Sequence, residues 1–385
     1  MRQPHRAAIH RGRSDVLLED TIQVQAGGRA RGYPIKVRTG IRRSLPKMIA
    51  SHTKAHRYAV ISDQRVGSLY GEDVVKGLTG EGKDAVLLTF PPGEASKNRE
   101  EWASLTDTML RAGFGRDSAV VAVGGGVVGD LAGFVAATFM RGIPLVQVPT
   151  SLVAMIDSSV GGKTGVDVPE GKNLVGAFHP PRLVVVDPEV SVTLPREERA
   201  QGLAEAVKHG AILDPVYLAD LDGDIPCVMN GDVAATSRAV VRSIEIKADV
   251  VSKDERESGL RKVLNFGHTI GHAVESAAGY DPPHGTCVAL GMILEARLGE
   301  ALGVTRAGTA TALERLVERL ELPNRLPVGM DPEKVLAFTR RDKKGREGKP
   351  HYVLLSMAGQ VASKEDWARE VPDEAVLSVL KDAVG

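Results

Sequence analysis

The sequence predicts an α/β N-terminal half joined near residue 192 to a mainly α-helical C-terminal half. Three observations predict it. Short apolar runs alternate with helix-like segments up to about residue 187; glycine, proline or a polar residue closes each run; and from Pro195 onward the chain is rich in Ala, Leu, Glu and Arg at helical spacing. Short continuous apolar strands separated by helices belong in a mostly parallel sheet covered on both faces.

Taken in order, residues 1–18 are arginine-bearing and polar, a flexible extension. Residues 21–25 and 33–38 alternate in polarity around Gly27, Gly28 and Gly32, the pattern of a β-hairpin. Residues 57–63 carry the run Tyr58, Ala59, Val60, Ile61 and close on Ser62 and Asp63. Further strand-like runs fall at 85–90, 119–123, 145–148 and 183–186. Ligands of such sheets bind outside the carboxyl ends of the strands, so the polar residues there are the first site candidates. Residues 233–251 and 309–320 show helical periodicity. A second hairpin is expected at 351–356 and 360–362. These readings divide the chain into an α/β domain at 19–192 and a helical domain at 193–385.

Composition narrows the function. The chain has 385 residues, 43% of them hydrophobic, and equal counts of 49 for Lys plus Arg and Asp plus Glu. Zero formal charge argues against a nucleic-acid partner or an anionic membrane surface. No apolar run reaches the roughly 18–20 residues of a membrane span, and no signal-peptide pattern opens the chain, so a cytoplasmic protein is expected. Two cysteines, Cys227 and Cys287, build no disulfide framework. Cys287 follows His284 by three positions, yet a small buried side chain is favoured over a thiolate ligand.

A nucleotide signal lies where residues 119–123 run into Gly124, Gly125, Gly126, Val127, Val128, Gly129 and Asp130, ahead of a helical pattern. Consecutive glycines let a pyrophosphate approach the backbone, and a helix N-terminus offers unpaired N–H groups. The spacing departs from G-x-G-x-x-G, so the run alone reads equally well as a tight turn. Asp63 closes one strand, where a carboxylate can accept from a ribose. Glu94 and Lys97 follow another.

The densest chemistry lies in the helical half. His268 and His272 stand at i and i+4 on one helix face, and His284 opens a loop or helix after Pro283. Glu205 sits among apolar neighbours, where a carboxylate is costly unless paired or metal-bound. One carboxylate and two imidazoles suit a catalytic zinc-type ion. Spacing alone nominates His268 with His272 and leaves open which two imidazoles bind. Arg141, Lys163, Lys172, Lys208, Lys247, Arg261, Lys343 and Lys344 supply cations. Lys163 lies in a glycine loop at 161–165, and Lys172 and Arg261 lie close to Asn173 and Asn265, which points to an anion site.

These residues resemble the 3-dehydroquinate synthase family of sugar phosphate cyclases, from about residue 21 to the C-terminal region. The stretches that carry the likeness are GGGVVGDLAGFVAATFMRG (124–142), VPTSLVAMIDSSVGGKTGVD (148–167), GKNLVGAFHPP (171–181), AEAVKHG (204–210), LNFGHTIGHAVE (264–275), HGTCVALGM (284–292) and DKKGREG (342–348). The resemblance implies an α/β N-terminal Rossmann-like NAD-binding domain plus a mainly α-helical C-terminal metal and substrate domain, and a homodimer. It implies zinc, or cobalt, on Glu205, His268 and His284. By the same likeness Asp63, Glu94, Lys97, Gly125, Gly126, Val127, Asp130, Thr150, Ser151 and Lys172 line the NAD site. Asp157, Lys163, Asn173, Lys208, Lys247, Arg261, Asn265, His272 and Lys343 are implied substrate contacts, with Arg141 reaching across the dimer. Ser151 stands where threonine is common, and His209 where an aromatic is frequent.

The implied substrate is a small molecule, 3-deoxy-D-arabino-heptulosonate 7-phosphate. Its implied product is 3-dehydroquinate, formed by transient oxidation, phosphate elimination, reduction and aldol closure. Three rivals are a zinc polyol dehydrogenase, a sibling cyclase and an inactive binding protein. The dehydrogenase has no need of a phosphate set such as Lys163, Arg261, Asn265 and Lys343. Arg261, Asn265 and His272 suit a substrate that carries a carboxylate, which a sibling cyclase need not accept. A complete set of polar site residues argues against the third.

Overall fold

The computed structural model describes residues 20–25, 32–279, 281–340, 349–363 and 366–385. The expected N-terminal extension, and Lys343 and Lys344, lie outside the described residues. The hairpin forms: β1 (Asp20–Val24) runs antiparallel to β2 (Tyr33–Val37), with Asp20 opposite Val37. Helix α1 (Leu45–Thr53) leads to β3 (Arg57–Asp63). Short α2 (Gln64–Val66) continues through a π turn at Gly67–Gly71 into α3 (Glu72–Gly80), which precedes β4 (Asp84–Phe90). Then follow α4 (Arg99–Arg111), β5 (Ser118–Gly124), α5 (Gly126–Thr138), β6 (Leu145–Pro149), β7 (Lys163–Val168), β8 (Gly171–Phe178) and β9 (Leu183–Val186).

Seven strands form one sheet in the order β1-β2-β9-β6-β5-β3-β4, parallel except for the β1–β2 pair. Both faces are covered, as the unbroken apolar runs require. Alternate residues Ala59, Ile61, Val120 and Ala122 pack under α4 and α5. Their neighbours Tyr58, Val60, Val121 and Val123 pack under α1 and α3. The chain leaves β3 for β4 on one side and returns to lay β5 on the other. Strand order reverses there, so a crevice opens beyond the carboxyl ends of β3 and β5.

The region around Lys163 differs from its reading as a loop. Lys163 opens β7, and β7 and β8 pair antiparallel as a separate two-stranded ribbon, with Lys163 opposite Phe178. Glycines at 161, 162, 165, 171 and 176 masked the strand alternation. The ribbon lies on α5, where a Cβ on Gly133 would meet Thr164 Cγ2 at 2.4 Å.

A 3₁₀ turn, Pro188–Thr193, hands the chain to the helical half. There α6 (Arg196–Leu213), α7 (Pro215–Met229) and α8 (Val233–Lys253) are followed by a 3₁₀ turn at Leu260–Asn265. Next come α9 (His268–Ala277), α10 (His284–Ala301), α11 (Thr309–Arg319) and α12 (Pro332–Thr339). The late hairpin is present as β10 (Leu355–Met357) and β11 (Gln360–Val361), and α13 (Asp373–Asp382) closes the chain. Among the described residues no helix is long and apolar enough to cross a membrane.

Helices α9 and α10 touch backbone to backbone. A Cβ on Gly291 would sit 1.9 Å from the Gly267 carbonyl oxygen, and one on Gly271 2.7 Å from that of Cys287. Alanine ordinarily stabilises a helix interior by about 1 kcal/mol over glycine. At Gly291 the obstacle is a carbonyl that no rotamer can move, so the clash outweighs that gain. Gly291→Ala should lose about 1–3 kcal/mol, seen as a lower Tm in thermal unfolding; an unchanged or higher Tm would show that the helices separate freely.

Candidate active site

The metal candidates converge. Helix α6 is buried on all sides from Ala200 to Ile212 and carries Glu205 inward, where it is 1% exposed. His268 is the first residue of α9 and His284 the first of α10, so two helix starts meet on this carboxylate. Glu205 Oε1 lies 3.5 Å from His268 Nε2 and 3.3 Å from His284 Nε2, and Oε2 lies 2.5 Å from Lys208 Nζ. Neither oxygen accepts a well-formed hydrogen bond among the described residues.

His272 joins them, with ring centroids 5.2 Å from His268 and 5.7 Å from His284. The three imidazoles can offer nitrogens within 4.8 Å of one another. Asp157, Glu205 and His209 form a second, separate group. Lys208 lies among them, 3.4 Å from Asp157 Oδ1 and 2.5 Å from Glu205, so a cation there would meet another cation. The imidazole side is the better seat. Cys287 is buried and takes no part; burial pushes its thiol up to about 12.

The rings are aimed. His268 Nδ1 lies 3.1 Å from the Phe266 carbonyl, which turns Nε2 inward, and burial keeps this ring's pKa below its ordinary value. Burial acts downward on His284 too, but Glu205 and Glu275 prevail and raise it to about 9. Burial alone would raise Glu205; Lys208, aided by His268, holds it well below the usual carboxylate range. The pocket therefore favours positive charge between two ionised carboxylates, as a divalent cation would supply.

Asp157 is the second hub. It sits in the turn Ala154–Ser158, with Oδ1 2.8 Å from Lys247 Nζ of α8, 3.4 Å from Lys208 Nζ and 3.2 Å from His209 Nε2. Lys247 also donates to the Asp157 carbonyl at 2.7 Å. Burial pushes Asp157 up, but the two lysines dominate and leave it well below its ordinary value. Arg261, 2% exposed, points both terminal nitrogens at the Gly161 carbonyl at 3.3 Å. Gly161 has φ +108°, and a Cβ there would run into that guanidinium. Lys163 pairs with Glu257, whose other oxygen accepts from Asn265 Nδ2 at 2.6 Å.

The nucleotide candidates fall on β3, on the glycine turn from β5 into α5, after β4 and β6, and on β8. Gly124 ends β5 and Gly126 starts α5, whose first turn has no side-chain cap. Val127 and Gly125 are partly exposed there. A Cβ on Gly125 would meet Ser151 Oγ at 3.1 Å. Thr150 N–H donates to the Gly124 carbonyl at 2.9 Å, tying β6 to the loop. Lys97 lies 3.0 Å from Glu94, 3.4 Å from Asp130 and 3.6 Å from Asp167. Burial would raise Glu94, yet Lys97 and Lys172 hold it at about 2. Asp63 also caps α2, accepting from Val66 N–H at 2.9 Å. A cavity of about 410 Å³ extends from Val123 and Thr150 to Arg42, Tyr70 and Asp187.

Not every candidate joins this cluster. Arg141 is exposed in the turn after α5, about 20 Å of helix from the glycine loop. Asn173 adopts φ +55° on β8, its N–H donating to Asp167 Oδ1 at 2.8 Å. Sequence reasoning missed Glu257, Glu275 and Glu295. For Glu275 a signal existed, since it stands at i+7 from His268 on the face of the two imidazoles. Glu295 of α10 has no such signal, because the N–H groups of Gly267 and Ile270 that it binds are backbone groups. It is fully buried and accepts from Gly267 N–H at 2.7 Å and Ile270 N–H at 3.2 Å, capping α9 from outside.

Fold and site together define an enzyme of the sugar phosphate cyclase class. Solved relatives include a 2-deoxy-scyllo-inosose synthase complexed with carbaglucose-6-phosphate, NAD+ and Co2+, at 26% identity and TM-score 0.86 over 95% of this chain and 100% of that one. A 2-epi-5-epi-valiolone synthase from Streptomyces hygroscopicus with NAD+ and Zn2+ bound aligns at 27% identity and TM-score 0.82, covering 93% and 98%. The family profile for the 3-dehydroquinate synthase N-terminal region matches residues 87–201, and that for the C-terminal region residues 202–345. A 3-dehydroquinate synthase of Symbiobacterium thermophilum is 50% identical over 87% of this chain and 94% of its own length. One from Xanthomonas campestris pv. campestris is 43% identical over 92% and 96%. The chain belongs to the 3-dehydroquinate synthase family.

Glu295→Ala would leave two buried N–H groups of α9 without an acceptor. A loss of about 2–4 kcal/mol is expected, read as a lower midpoint in denaturant unfolding, with Glu295→Gln losing less. Equal stability of the two variants would remove the external cap from the account.

Proposed function

We propose that the chain converts 3-deoxy-D-arabino-heptulosonate 7-phosphate into 3-dehydroquinate and phosphate, as a carbon–oxygen lyase that needs NAD and a divalent metal. The observation that carries this reading is the meeting of Glu205, His268 and His284, linked by ion pairs through Lys208 to the Asp157–Lys247 cluster. The donor set of one carboxylate and two imidazoles fits zinc, and cobalt equally. Solved cyclases that hold NAD+ together with Co2+ or Zn2+ support the same pair. Held there, NAD would supply reversible hydride transfer at C5 and the ion would supply Lewis acidity toward the neighbouring substrate oxygens.

Everything else falls to side chains. Glu205, His268 and His284 hold the ion. Asp63, Glu94, Lys97, Gly125, Gly126, Val127, Asp130, Thr150, Ser151 and Lys172 form the NAD site, with the pyrophosphate at the start of α5. Lys163, Asn173, Arg261, Asn265, His272 and Lys343 hold carboxylate and phosphate. Asp157, Lys208 and Lys247 hold the hydroxyls. Once C5 is a ketone, the C6 proton is acidic, and the phosphate beside it takes that proton as it leaves. Reduction at C5, ring opening and aldol closure follow. Fixing one chain geometry through these steps supplies part of the roughly 7–11 kcal/mol that well-oriented intramolecular reactions gain. Arg141 serves the site of a partner in a homodimer, and the enzyme works in the cytoplasm, joining a domain at 19–192 to one at 193–385.

Phosphate release from this heptulosonate phosphate with sub-stoichiometric NAD tests the reading. Many turnovers per NAD, no net NADH and abolition by chelation are expected, and His268→Ala should be inactive with most NAD binding retained. NADH accumulating with each turnover would make the enzyme a dehydrogenase instead.

Lys247 gives a pH prediction. Burial, with Lys208 and Arg261 adding to it, pushes its pKa down to about 8 against the pull of Asp157. Its charge is then present below that pH and lost as pH rises through it. kcat/KM, which reports the free enzyme, should fall above about pH 8. Lys247→Arg keeps the charge and should move that limb upward; an unmoved limb assigns it to another group.

A further inference from the structure

Glu275 is 2% exposed and belongs to neither the proposed ligand set nor the substrate contacts. It lies near the end of α9, on the face that carries His268 and His272. Its Oε1 is 2.6 Å from Lys172 Nζ, and its Oε2 is 3.7 Å from His284 Nδ1. The other nitrogen of His284, Nε2, is the one turned to Glu205 at 3.3 Å. The imidazole thus lies between two carboxylates, with one nitrogen facing each at ion-pair distance. His268 shows the parallel arrangement with a weaker partner, its Nδ1 resting on a backbone carbonyl.

A buried carboxylate in this place needs a reason, because an ionised group out of water costs several kcal/mol unless compensated. Lys172 compensates it. This lysine comes from β8, in the sheet half, and its Nζ is also 3.4 Å from Glu94 Oε1. Lys172 therefore holds one oxygen of Glu275 still and leaves the second free to face the imidazole. His284 is the first residue of its helix and its side chain is 38% exposed, so neighbouring packing alone does not fix the ring.

We propose that Glu275 is a positioning residue for the metal centre: it accepts from His284 Nδ1–H, which fixes the tautomer, delivers Nε2 to the ion and makes that nitrogen a stronger donor. Outer carboxylates of this kind are worth 10- to 100-fold in metal affinity. The proposal rests on the assignment of Glu205, His268 and His284 as ligands.

The test is zinc affinity, measured on the full chain by competition with a chromogenic chelator. Glu275→Gln keeps the size and loses the charge; its zinc Kd should rise 10- to 100-fold, with thermal unfolding of the metal-free chain used to check that it is folded. If that variant does not fold, Glu275→Asp carries the test: it keeps the charge and the Lys172 pairing but pulls back from His284 by a methylene, and should weaken zinc at least threefold. A folded variant binding zinc within twofold of wild type overturns the proposal. Glu205→Ala separates the two levels: if it too leaves zinc affinity unchanged, the ligand assignment has failed, whereas a large loss there beside an unchanged Glu275→Gln defeats only the role of Glu275.

Discussion

An ionised carboxylate, Glu205, is buried in the middle of α6, and much of the site follows from compensating it. Such a group is tolerated only with opposite charge or strong donors at close range. Lys208, three residues on along α6, supplies the first at 2.5 Å. That lysine is itself 1% exposed and so needs a second anion, which Asp157 provides from the turn beyond β6. Asp157 in turn draws Lys247 from α8. One buried charge thus ties α6 and α8 to the carboxyl-end loops of the sheet, the region where a parallel sheet presents its ligands.

Helix starts set the character of the imidazoles. His268 and His284 each open a helix, where the positive end of the backbone dipole disfavours an imidazolium and favours the neutral ring that a metal needs. For His268 burial acts in the same direction. His284 departs from it because carboxylates flank both its nitrogens, and the pocket accepts positive charge there even without an ion. An incoming divalent cation would displace that proton and take over its electrostatic role.

Much of the fold was legible because the signals were local. Apolar runs such as 57–63 and 119–123 became central strands, and helical periodicity at 233–251 became α8. The β7–β8 ribbon was not legible as strand, since its glycines hide the alternation that half-buried strands normally show. In the site, the histidine spacing marked one face of α9 but not the arrangement around Glu205. That arrangement depends on two helix starts meeting through glycine contacts at Gly267, Gly271 and Gly291, which are long-range facts. The outer carboxylates were hidden for a related reason. Glu257 and Glu295 act on partners distant in sequence or on backbone groups, and a buried glutamate looks no different from a solvated one in a list of residues.

The ribbon explains how the two halves of the chemistry are held in one place. By sequence it belongs to the sheet half, and Thr164 packs it onto α5, the helix whose start forms the proposed nucleotide loop. Two of its lysines reach the helical half. Lys163 reaches Glu257 beside Asn265, and Lys172 reaches Glu275 on α9. A reaction that removes a hydride and returns it to the same substrate needs the nucleotide and the cation to keep their spacing through several steps. Ion pairs crossing from a ribbon anchored on α5 to the helices that bear the imidazoles provide such a spacing. Because Lys163 pairs near the proposed anion contacts and Lys172 near Glu94, the same two strands also bring substrate-side and nucleotide-side charges into register.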